Sequence, residues 1–582
     1  MVSDAPLFSV LVPVWHPDLD EFRQCIDSVL AQTFPDWELL LVADGPQPES
    51  VVDMMSHPDP RVRPVFLPIN GGISHASNGG IKAARGEFVA LLDNDDVLAP
   101  FALEVCAEPI RDLADVDVVY TDEDKLDMSG RRYDPYFKPA WSPERLLGQQ
   151  YLGHLTVYRR SLVNEVGGFR PEFDGAQDYD LALRATSKAR RIVHIPRICY
   201  HWRATEGSVA ASQDAKPWAF AAGVRAVHDH LTTAGHQVEV STVPGHNGLL
   251  AITPHVGAVA ASIVIPSSGT TKQVDGREVL LPDTAIQSML HHNQATGHDL
   301  DIIVVLDRNA TEASRQRIQA LDPQRVVIVQ DDQPFNFSRA SNLGAVQARH
   351  DLLVFLNDDT QIINDNWLER VAFFARQDGV GAVGCKLIYG DGRIQHVGLF
   401  GHDGGIHHRS VGLPGDLLGH MGEHTIPGNV VAVTGAFLAL QRDRYVSVGG
   451  FTETLPYAFN DVDLCLKLFR RGYRNVIDNQ TVLVHHESTT RDPTVNADEV
   501  NYLHRVLDDL LRSDPYHNPN FFTAGPDAIA PPIGLVSAFE HIGSADFSYR
   551  AWPFAEHAWD ERDTRLAQIW ERLTGSRSAE PV

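Results

Sequence analysis

Residues 88–98 read Phe88-Val-Ala-Leu-Leu-Asp-Asn-Asp-Asp-Val-Leu98, an apolar run that stops in three carboxylates, Asp93, Asp95 and Asp96. A buried strand that ends at an anion-handling site has this form. The chain writes the same form again at Asp351-Leu-Leu-Val-Phe-Leu-Asn-Asp-Asp-Thr360, where the apolar run ends in Asn357, Asp358 and Asp359. The approach is in register too. Asn78 lies 15 residues before Asp93 and Asn342 lies 15 before Asn357, while Arg85 and Arg349 each stand 8 residues ahead of the same point. The pattern is that of a duplicated domain.

Composition bounds what that domain is. The 582 residues allow about three or four domains, or two large ones with additions, and 43% hydrophobic with 21% charged residues is ordinary for a globular chain with full cores. Five cysteines, Cys25, Cys106, Cys199, Cys385 and Cys465, stand far apart with no CxxC pair, which fits neither a disulfide framework nor a zinc site and suits a reducing compartment. A formal charge of -27 argues against binding nucleic acid. The first ten residues lack a basic stretch followed by an apolar one, so no signal peptide is expected. The most membrane-like segment, residues 249–266, is broken by Thr253, Pro254 and His255 and reads as a linker running into a strand.

In chain order, Phe8-Ser-Val-Leu-Val-Pro13 reads as a buried parallel strand. Phe22, Cys25, Ile26, Val29 and Leu30 follow at helical spacing. Glu38 to Ala43 is the next strand, with Asp44 at its carboxyl end, and a glycine-rich turn and short helix between Gly71 and Gly86 lead to the Phe88 strand. Alternation of this kind predicts an α/β fold with a mostly parallel, doubly wound sheet. The second copy repeats the order with strands over residues 262–266 and 301–306, a helix around residues 284–292, and Asp307 in the place of Asp44. Gly167-Gly-Phe169 precedes Gln177-Asp178, as Gly449-Gly-Phe451 precedes Asn460-Asp461. A late histidine closes each copy: His201 is 23 residues after Asp178, and His485 is 24 after Asp461.

Pro13, Asp44, the Leu91-Leu-Asp-Asn-Asp-Asp96 strand end, Gly167-Gly-Phe169, Gln177-Asp178 and His201-Trp-Arg203 together resemble a glycosyltransferase family 2 domain of the GT-A fold. The second half resembles the same family through Phe335-Asn-Phe-Ser338, Leu356-Asn-Asp-Asp359, Val433-Thr-Gly-Ala436 and Asn460-Asp-Val-Asp-Leu-Cys465, and is similar to tandem, rhamnosyltransferase-like enzymes of bacterial surface polysaccharide synthesis. The expected domains are residues 1–245 and 258–515, with a helical extension over residues 516–582.

The resemblance implies an inverting, single-displacement transfer of a sugar from a nucleotide-diphosphate sugar to a glycan or lipid-linked acceptor. The departing diphosphate is an anion, and a divalent cation, Mn or Mg, held by strand-end carboxylates neutralises it. Asp93 and Asp95 match the family's metal-binding DXD motif; in the second copy Asn357 replaces the first carboxylate and leaves Asp359, with Asp358 beside it. His201 and His485 resemble the histidine that completes the metal site or touches the diphosphate. Asp44 and Asp307, with Asp93 and Asp358, are the expected donor-binding residues. Asp178 and Asp461 match the base that takes the proton of the acceptor hydroxyl, although Gln177 and Asn460 stand where the family has Glu. Each of these residues also suits a plainer role: the acidic turns as solvated turns, Asp178 and Asp461 as helix caps, Asp44 and Asp307 as turn residues, the histidines as structural side chains.

His396, His402, His407, His408, His420 and His424 lie in a glycine-rich insertion without regular ligand spacing, and a solvated loop is expected there rather than a metal site. Val500, Leu503, Leu507, Leu510 and Leu511 mark an amphipathic helix, and Trp552, Phe554 and Trp559 an aromatic stretch expected to pack on the domain. The expected place of work is the cytoplasm, with peripheral attachment to the inner membrane face. Two other readings compete. One half is a degenerate module that binds glycan or positions the other, for which Asn357 marks the second; or the chain is a nucleotidyltransferase, against which stands the lack of a basic, glycine-rich triphosphate loop after either first strand.

Overall fold

The computed structural model describes residues 5–204, 217–274, 277–293, 296–402, 405–486, 497–503 and 514–524. They divide into two compact units: one runs to Ile252 and includes residues 518–524, and the other runs from Thr253 to His517. The expected helix near Leu503 is present over residues 497–503, with Leu503 buried. Leu507, Leu510, Leu511, Trp552, Phe554 and Trp559 lie outside the described residues.

The first unit runs β1 (Phe8–Val14), α1 (Leu19–Leu30), β2 (Trp37–Ala43), α2 (Glu49–Met55), β3 (Val62–Phe66), α3 (Ile73–Ala83), β4 (Phe88–Leu91), β5 (Val97–Leu98), α4 (Ala102–Asp112) and β6 (Val116–Leu126). It continues with β7 (Arg132–Tyr136), α5 (Pro143–Gly148), β8 (Thr156–Arg159), α6 (Arg160–Glu165), α7 (Gln177–Thr186), β9 (Arg191–Arg203), α8 (Pro217–Thr233), β10 (Val238–Val243) and β11 (His246–Pro254). The sheet order is β3-β2-β1-β4-β8-β6-β9-β5, with β7 beside β6. Strands β3 to β4 are parallel, as are β6 and β9, while β8 enters antiparallel between β4 and β6.

Alternation sends successive residues of the central strands into two cores. Val10, Val12, Leu39 and Leu41 pack with Phe22, Cys25, Ile26 and Val29 of α1 on one face. Leu11, Leu40 and Val42 pack with Ala76 and Ile81 of α3 and Leu181 of α7 on the other. Each such fully buried aliphatic side chain contributes about 1.5–3 kcal/mol. The sheet is wound on both sides.

The second unit runs β12 (Ala260–Ser267), β13 (Thr271–Val274), β14 (Arg277–Leu280), α9 (Leu281–Asn293), β15 (Asp299–Asp307), α10 (Glu312–Leu321), β16 (Val326–Asp331), α11 (Phe337–Gln347), β17 (Leu352–Leu356), β18 (Thr360–Ile362), α12 (Trp367–Ala375) and β19 (Val380–Ile388). There follow β20 (Ile394–His396), β21 (Leu399–His402), β22 (Gly405–His408), β23 (Gly428–Val430), β24 (Phe437–Gln441), α13 (Arg442–Ser447), α14 (Asn460–Arg470) and β25 (Arg474–His485). Its sheet order is β16-β15-β12-β17-β24-β19-β25-β18, with β20 beside β19 and β23 beside β25. Position for position this is the first sheet again, which confirms the duplication and the α/β class.

The residues that set the repeating frame now have physical reasons. Arg85 donates its backbone N–H to the buried Glu38 carboxylate at 2.7 Å, and Ser9 Oγ donates to the same group at 2.7 Å. In the second unit Arg349 and Ser262 serve Asp301 alike, at 3.2 and 2.6 Å. The frame asparagines are clamps. The Asn78 side chain accepts from Phe169 N–H at 2.9 Å and donates to Phe169 C=O at 2.8 Å; Asn342 does both to Phe451, each at 3.0 Å. Each clamp pins the Gly-Gly-Phe turn that leads to the helix carrying Asp178 or Asp461.

One segment departs from the expected course. Residues 249–254, the start of the segment read as a linker, belong to β11, which pairs with β10. Thr253, Pro254 and His255 interrupt an apolar run as effectively at the end of a strand as in a loop, so the sequence did not distinguish the two.

Gly168 and Gly450 hold φ of +71° and +69°, and a Cβ on either would stand 2.5 or 2.7 Å from the clamping Asn Oδ1. Gly168→Ala and Gly450→Ala should each cost at least about 1–2 kcal/mol from backbone strain alone. Gly450→Ala should cost the more, because Tyr445 Cζ also lies 3.0 Å from that point. Urea midpoints of the two variants test this, and wild-type midpoints would contradict it.

Candidate active sites

The turn after β4 is fixed from three sides. Asn94 donates its side-chain N–H to Pro13 C=O at 2.8 Å, Arg203 donates Nε–H to Asp95 C=O at 2.6 Å, and Asp93 N–H donates to Tyr200 Oη at 3.3 Å. Asp96 turns inward and is fully buried; it accepts from Tyr200 Oη and, at 2.7 Å, from Arg203 N–H. Burial, and then the charges of Asp93 and Asp95, push its carboxyl well above the ordinary value. Asp93 and Asp95 stay half-buried at the strand end.

Magnesium-like ions commonly take one or two protein carboxylates and fill their remaining positions with substrate phosphate and water. Asp93 and Asp95 fit that donor set. Among the described residues no three His, Cys, Asp or Glu side chains form a metal-holding group by themselves.

In the second unit Asp359 is buried, and its Oδ1 lies 2.9 Å from His485 Nε2. The same imidazole lies 3.4 Å from Asn357 Nδ2 and places Nδ1 2.6 Å from Gln395 Oε1. Asp358 accepts from Ser267 Oγ at the end of β12. Asp44 and Asp307 are both buried strand-end residues. Asp44 accepts from the N–H groups of Gly71 and Gly72 at 3.0 and 2.8 Å, with His75 Nδ1 at 3.0 Å, and so shapes the turn before α3. Asp307 accepts from Asn309 N–H at 2.7 Å.

The two late histidines are not equivalent. His485 pairs across the sheet with Thr360, whereas His201 pairs with Val97, one position further on. A one-residue offset reverses the face of a strand. His485 therefore meets Asp359, while His201 lies 2.6 Å through Nδ1 from Asp124 Oδ1 of β6 and is not brought to Asp93 or Asp95. Trp202 occupies the place that His485 has in the second unit, as the pairing of Leu98 with Tyr200 and of Ile362 with Leu483 requires.

Asp178 and Asp461 lie in the first turns of α7 and α14, but neither is the N-cap, which is Ala176 or Phe459. Asp178 Oδ2 accepts from Gln150 Nε2 at 3.1 Å. Asp461 accepts from Gly435 N–H at 2.7 Å and from Val462 N–H at 2.8 Å. The loop at residues 433–436 thus touches Asp461 through Gly435 and the strand end through Ala436, whose C=O accepts from Asn357 N–H at 3.0 Å. Strand end and helix start are joined by that loop.

Two expectations need revision in detail. The histidine-rich insertion is no solvated loop: it contributes β20 to β23, with His396, His420 and His424 buried. Burial, then the neighbouring His408 and His485, holds the His396 imidazole well below its ordinary value. The second matter is a set of residues not singled out from the sequence: Asp122, Glu123 and Asp124 on β6, with Lys138 and His154. Lys138 Nζ donates to Leu152 C=O and His154 C=O, each at 2.7 Å, and lies 3.6 Å from Glu123. Three successive acids following the run Val118-Val-Tyr120 in one strand were the available signal, since buried charges need partners.

The pattern of Glycosyl transferase family 2 matches residues 9–167 and 283–429. The chain is similar to the uncharacterized protein y4gI of Sinorhizobium fredii, at 39% identity over 538 residues, 89% of this chain and 58% of that one. It is also similar to the O-antigen biosynthesis protein RfbC of Myxococcus xanthus, at 34% over 536 residues, 90% of this chain and 41% of the relative. It therefore spans about half the length of these curated relatives. Residues 1–349 of S. aureus TarS align with 37% of this chain and 64% of that one at 20% identity and a TM-score of 0.30.

Because the folded-state value of Asp96 is raised, its contribution to stability is present at low pH and is lost as pH rises through that value. Between about pH 4 and 8 the wild-type urea midpoint should fall relative to that of Asp96→Asn, so the substitution should change the slope against pH. An unchanged slope would show that Asp96 titrates alike in both states.

Proposed function

We propose, from the premise that this chain belongs to glycosyl transferase family 2, that each half transfers a sugar from a nucleotide-diphosphate sugar to a glycan or lipid-linked acceptor during surface polysaccharide synthesis. The observation that carries the reading is the repeated placement, in one topology, of a strand-end Asp and a helix-start Asp, the latter bonded in each half by the segment before β8 or β24.

Asp178 and Asp461 are positioned to accept the proton of an acceptor hydroxyl as it attacks the anomeric carbon. The attack forms the new glycosidic bond while the bond to the nucleoside diphosphate breaks, which inverts the centre. Asp93 and Asp95 in the first half, and Asp359 with His485 in the second, are the residues that would hold a divalent cation, Mn or Mg, whose chemistry is to neutralise the departing diphosphate. Asp44, Asp307 and Asp358 would border the donor, and Asp93 would face its diphosphate. No helix among the described residues is long and apolar enough to cross a membrane; work in the cytoplasm, with peripheral attachment at the inner face, suits a lipid-linked acceptor.

A second reading, with one catalytic half and one that only binds or positions glycan, is favoured by Asn357 in the place of Asp93. The base variants separate the two. Loss of a general base costs about a hundred- to ten-thousandfold in rate, so Asp178→Asn and Asp461→Asn should stall synthesis at two different products. If every linkage still forms at the wild-type rate in Asp461→Asn, the second half is not catalytic. A panel of UDP-, GDP- and dTDP-sugars with magnesium or manganese, read by thermal unfolding, identifies the donor, since a ligand of the folded state must raise the midpoint. Asp95→Ala should remove the part of that shift due to the first site.

A further inference from the structure

We infer that His154 is a donor-binding residue of the first site, its imidazole meeting the diphosphate from the segment before β8, so that the two halves bring their histidines to equivalent strand ends from different elements. This inference rests on the glycosyltransferase reading above.

The pairing registers establish the exchange. Val157 pairs with Ala90 as Ala439 pairs with Val354, so His154 has Ala436 as its counterpart. On the last strand Trp202 has His485 as its counterpart. Each half therefore has one histidine in these two positions, and the other half lacks it there.

The surroundings of His154 direct it to the acidic strand end. Its ring stacks on Tyr200 with centroids 4.5 Å apart, and Trp202 lies 5.8 Å away. Tyr200 Oη is the group that receives Asp93 N–H and donates to Asp96. Glu123 Oε2 accepts from His154 N–H at 2.6 Å and lies 3.1 Å from His154 Nδ1, which fixes that nitrogen as the bonded one. Nε2 has no hydrogen-bond partner among the described residues. Its side chain is 26% exposed, enough for one edge to meet a ligand.

The charged and titratable groups around the ring are Glu123 on β6, Lys138 beyond β7, Asp93 and Asp96 after β4, and Tyr200 on β9. Burial disfavours the imidazolium, but the Glu123 hydrogen bond and charge, with Asp93 and Asp96, raise the ring to about 9. A cation presented through a fixed N–H is suited to phosphate oxygen. His201, joined to Asp124 on the opposite face, is not placed for this.

The test uses the full chain carrying Asp359→Ala, so that the first site is read alone, and titrates UDP, GDP and dTDP against uridine, guanosine and thymidine in magnesium buffer. A contact to diphosphate predicts that His154→Gln weakens the nucleoside diphosphate by about ten- to a hundredfold and leaves the nucleoside unchanged. His154→Lys, which restores a cation, should recover much of the loss. In the His154-intact chain the diphosphate affinity, and not the nucleoside affinity, should fall as pH rises and the imidazolium is lost, a measurement that stands even where a variant does not fold. Equal weakening of diphosphate and nucleoside, or no weakening at all, overturns the inference and leaves His154 as a partner of Glu123 and Tyr200 only. If no nucleoside diphosphate binds the unsubstituted chain, the glycosyltransferase reading fails first and this inference with it.

Discussion

Two hydrogen bonds between one asparagine side chain and the backbone N–H and C=O of one phenylalanine hold the turn of each half in place. Asn78 sits on α3, against the parallel part of its sheet, while Phe169 belongs to the turn that feeds α7. The helix bearing Asp178 is packed on the sheet through Leu181, and that link holds the turn leading into it as well. With it, a rigid helix already packed on β1 and β2 fixes the turn, and the turn fixes the helix. Asn342 and Phe451 do the same for Asp461, and there Tyr445 Oη adds a third bond to Asn342 Oδ1 at 2.6 Å. A peptide group satisfied by a side chain is worth most where water is excluded, so the more deeply buried second clamp should be the more rigid.

The strand-end acids pose the opposite problem, since they gather negative charge in one place. The first half answers with neutralisation in depth. Asp96 is buried with a raised carboxyl, and Glu123 is lowered against its burial by Lys138 and His154. Asp124 is held between His201 and Arg132, the latter at 2.7 Å. Asp122 is met by Asn518 at 2.8 Å and by His194 at 2.9 Å. Asp93 and Asp95 stay half-buried at the strand end. The second half carries less charge to begin with, because Asn357 and Thr360 replace two acids, Leu387 stands where β6 has Glu123, and one histidine bonded to Asp359 suffices. Each half has thus balanced a different acidic inventory.

Much of the fold was legible because the duplicated frame is made of short-range necessities. Asn78 with Asn342 and Arg85 with Arg349 keep an unvarying spacing from the strand end, and Asp44 with Asp307 differs by a single residue, 49 against 50, so counting residues finds them. The helix-start acids were legible from the Gly-Gly-Phe turn before them, 9 residues from Phe169 to Asp178 and 10 from Phe451 to Asp461. The late histidines were not. Between Asp178 and His201, and between Asp461 and His485, lies a long strand whose pairing with β6 or β19 is irregular, and the register shifts on both. One residue more or less is invisible to a motif, yet it decides which face a side chain occupies. The insertion from His396 to His424 failed to read as sheet for a related reason: its strands are three or four residues long, too short for alternation to show.

At the rim of the sheet, where β9 and β25 end, the two halves differ with no change of register. Trp202 stands 24 residues after Asp178 as His485 stands 24 after Asp461, and the two occupy equivalent positions. The late histidine of the first half is one residue earlier, on the opposite face, where it meets Asp124. With Trp202 at that rim position, the histidine beside the acidic strand end of the first half belongs to the segment entering β8. Its ring stacks on Tyr200, and it bonds to Glu123 because β6 supplies an acid where β19 supplies Leu387. The identity of the β6 residue, rather than the late histidine itself, is therefore the constraint that separates the first site from the second.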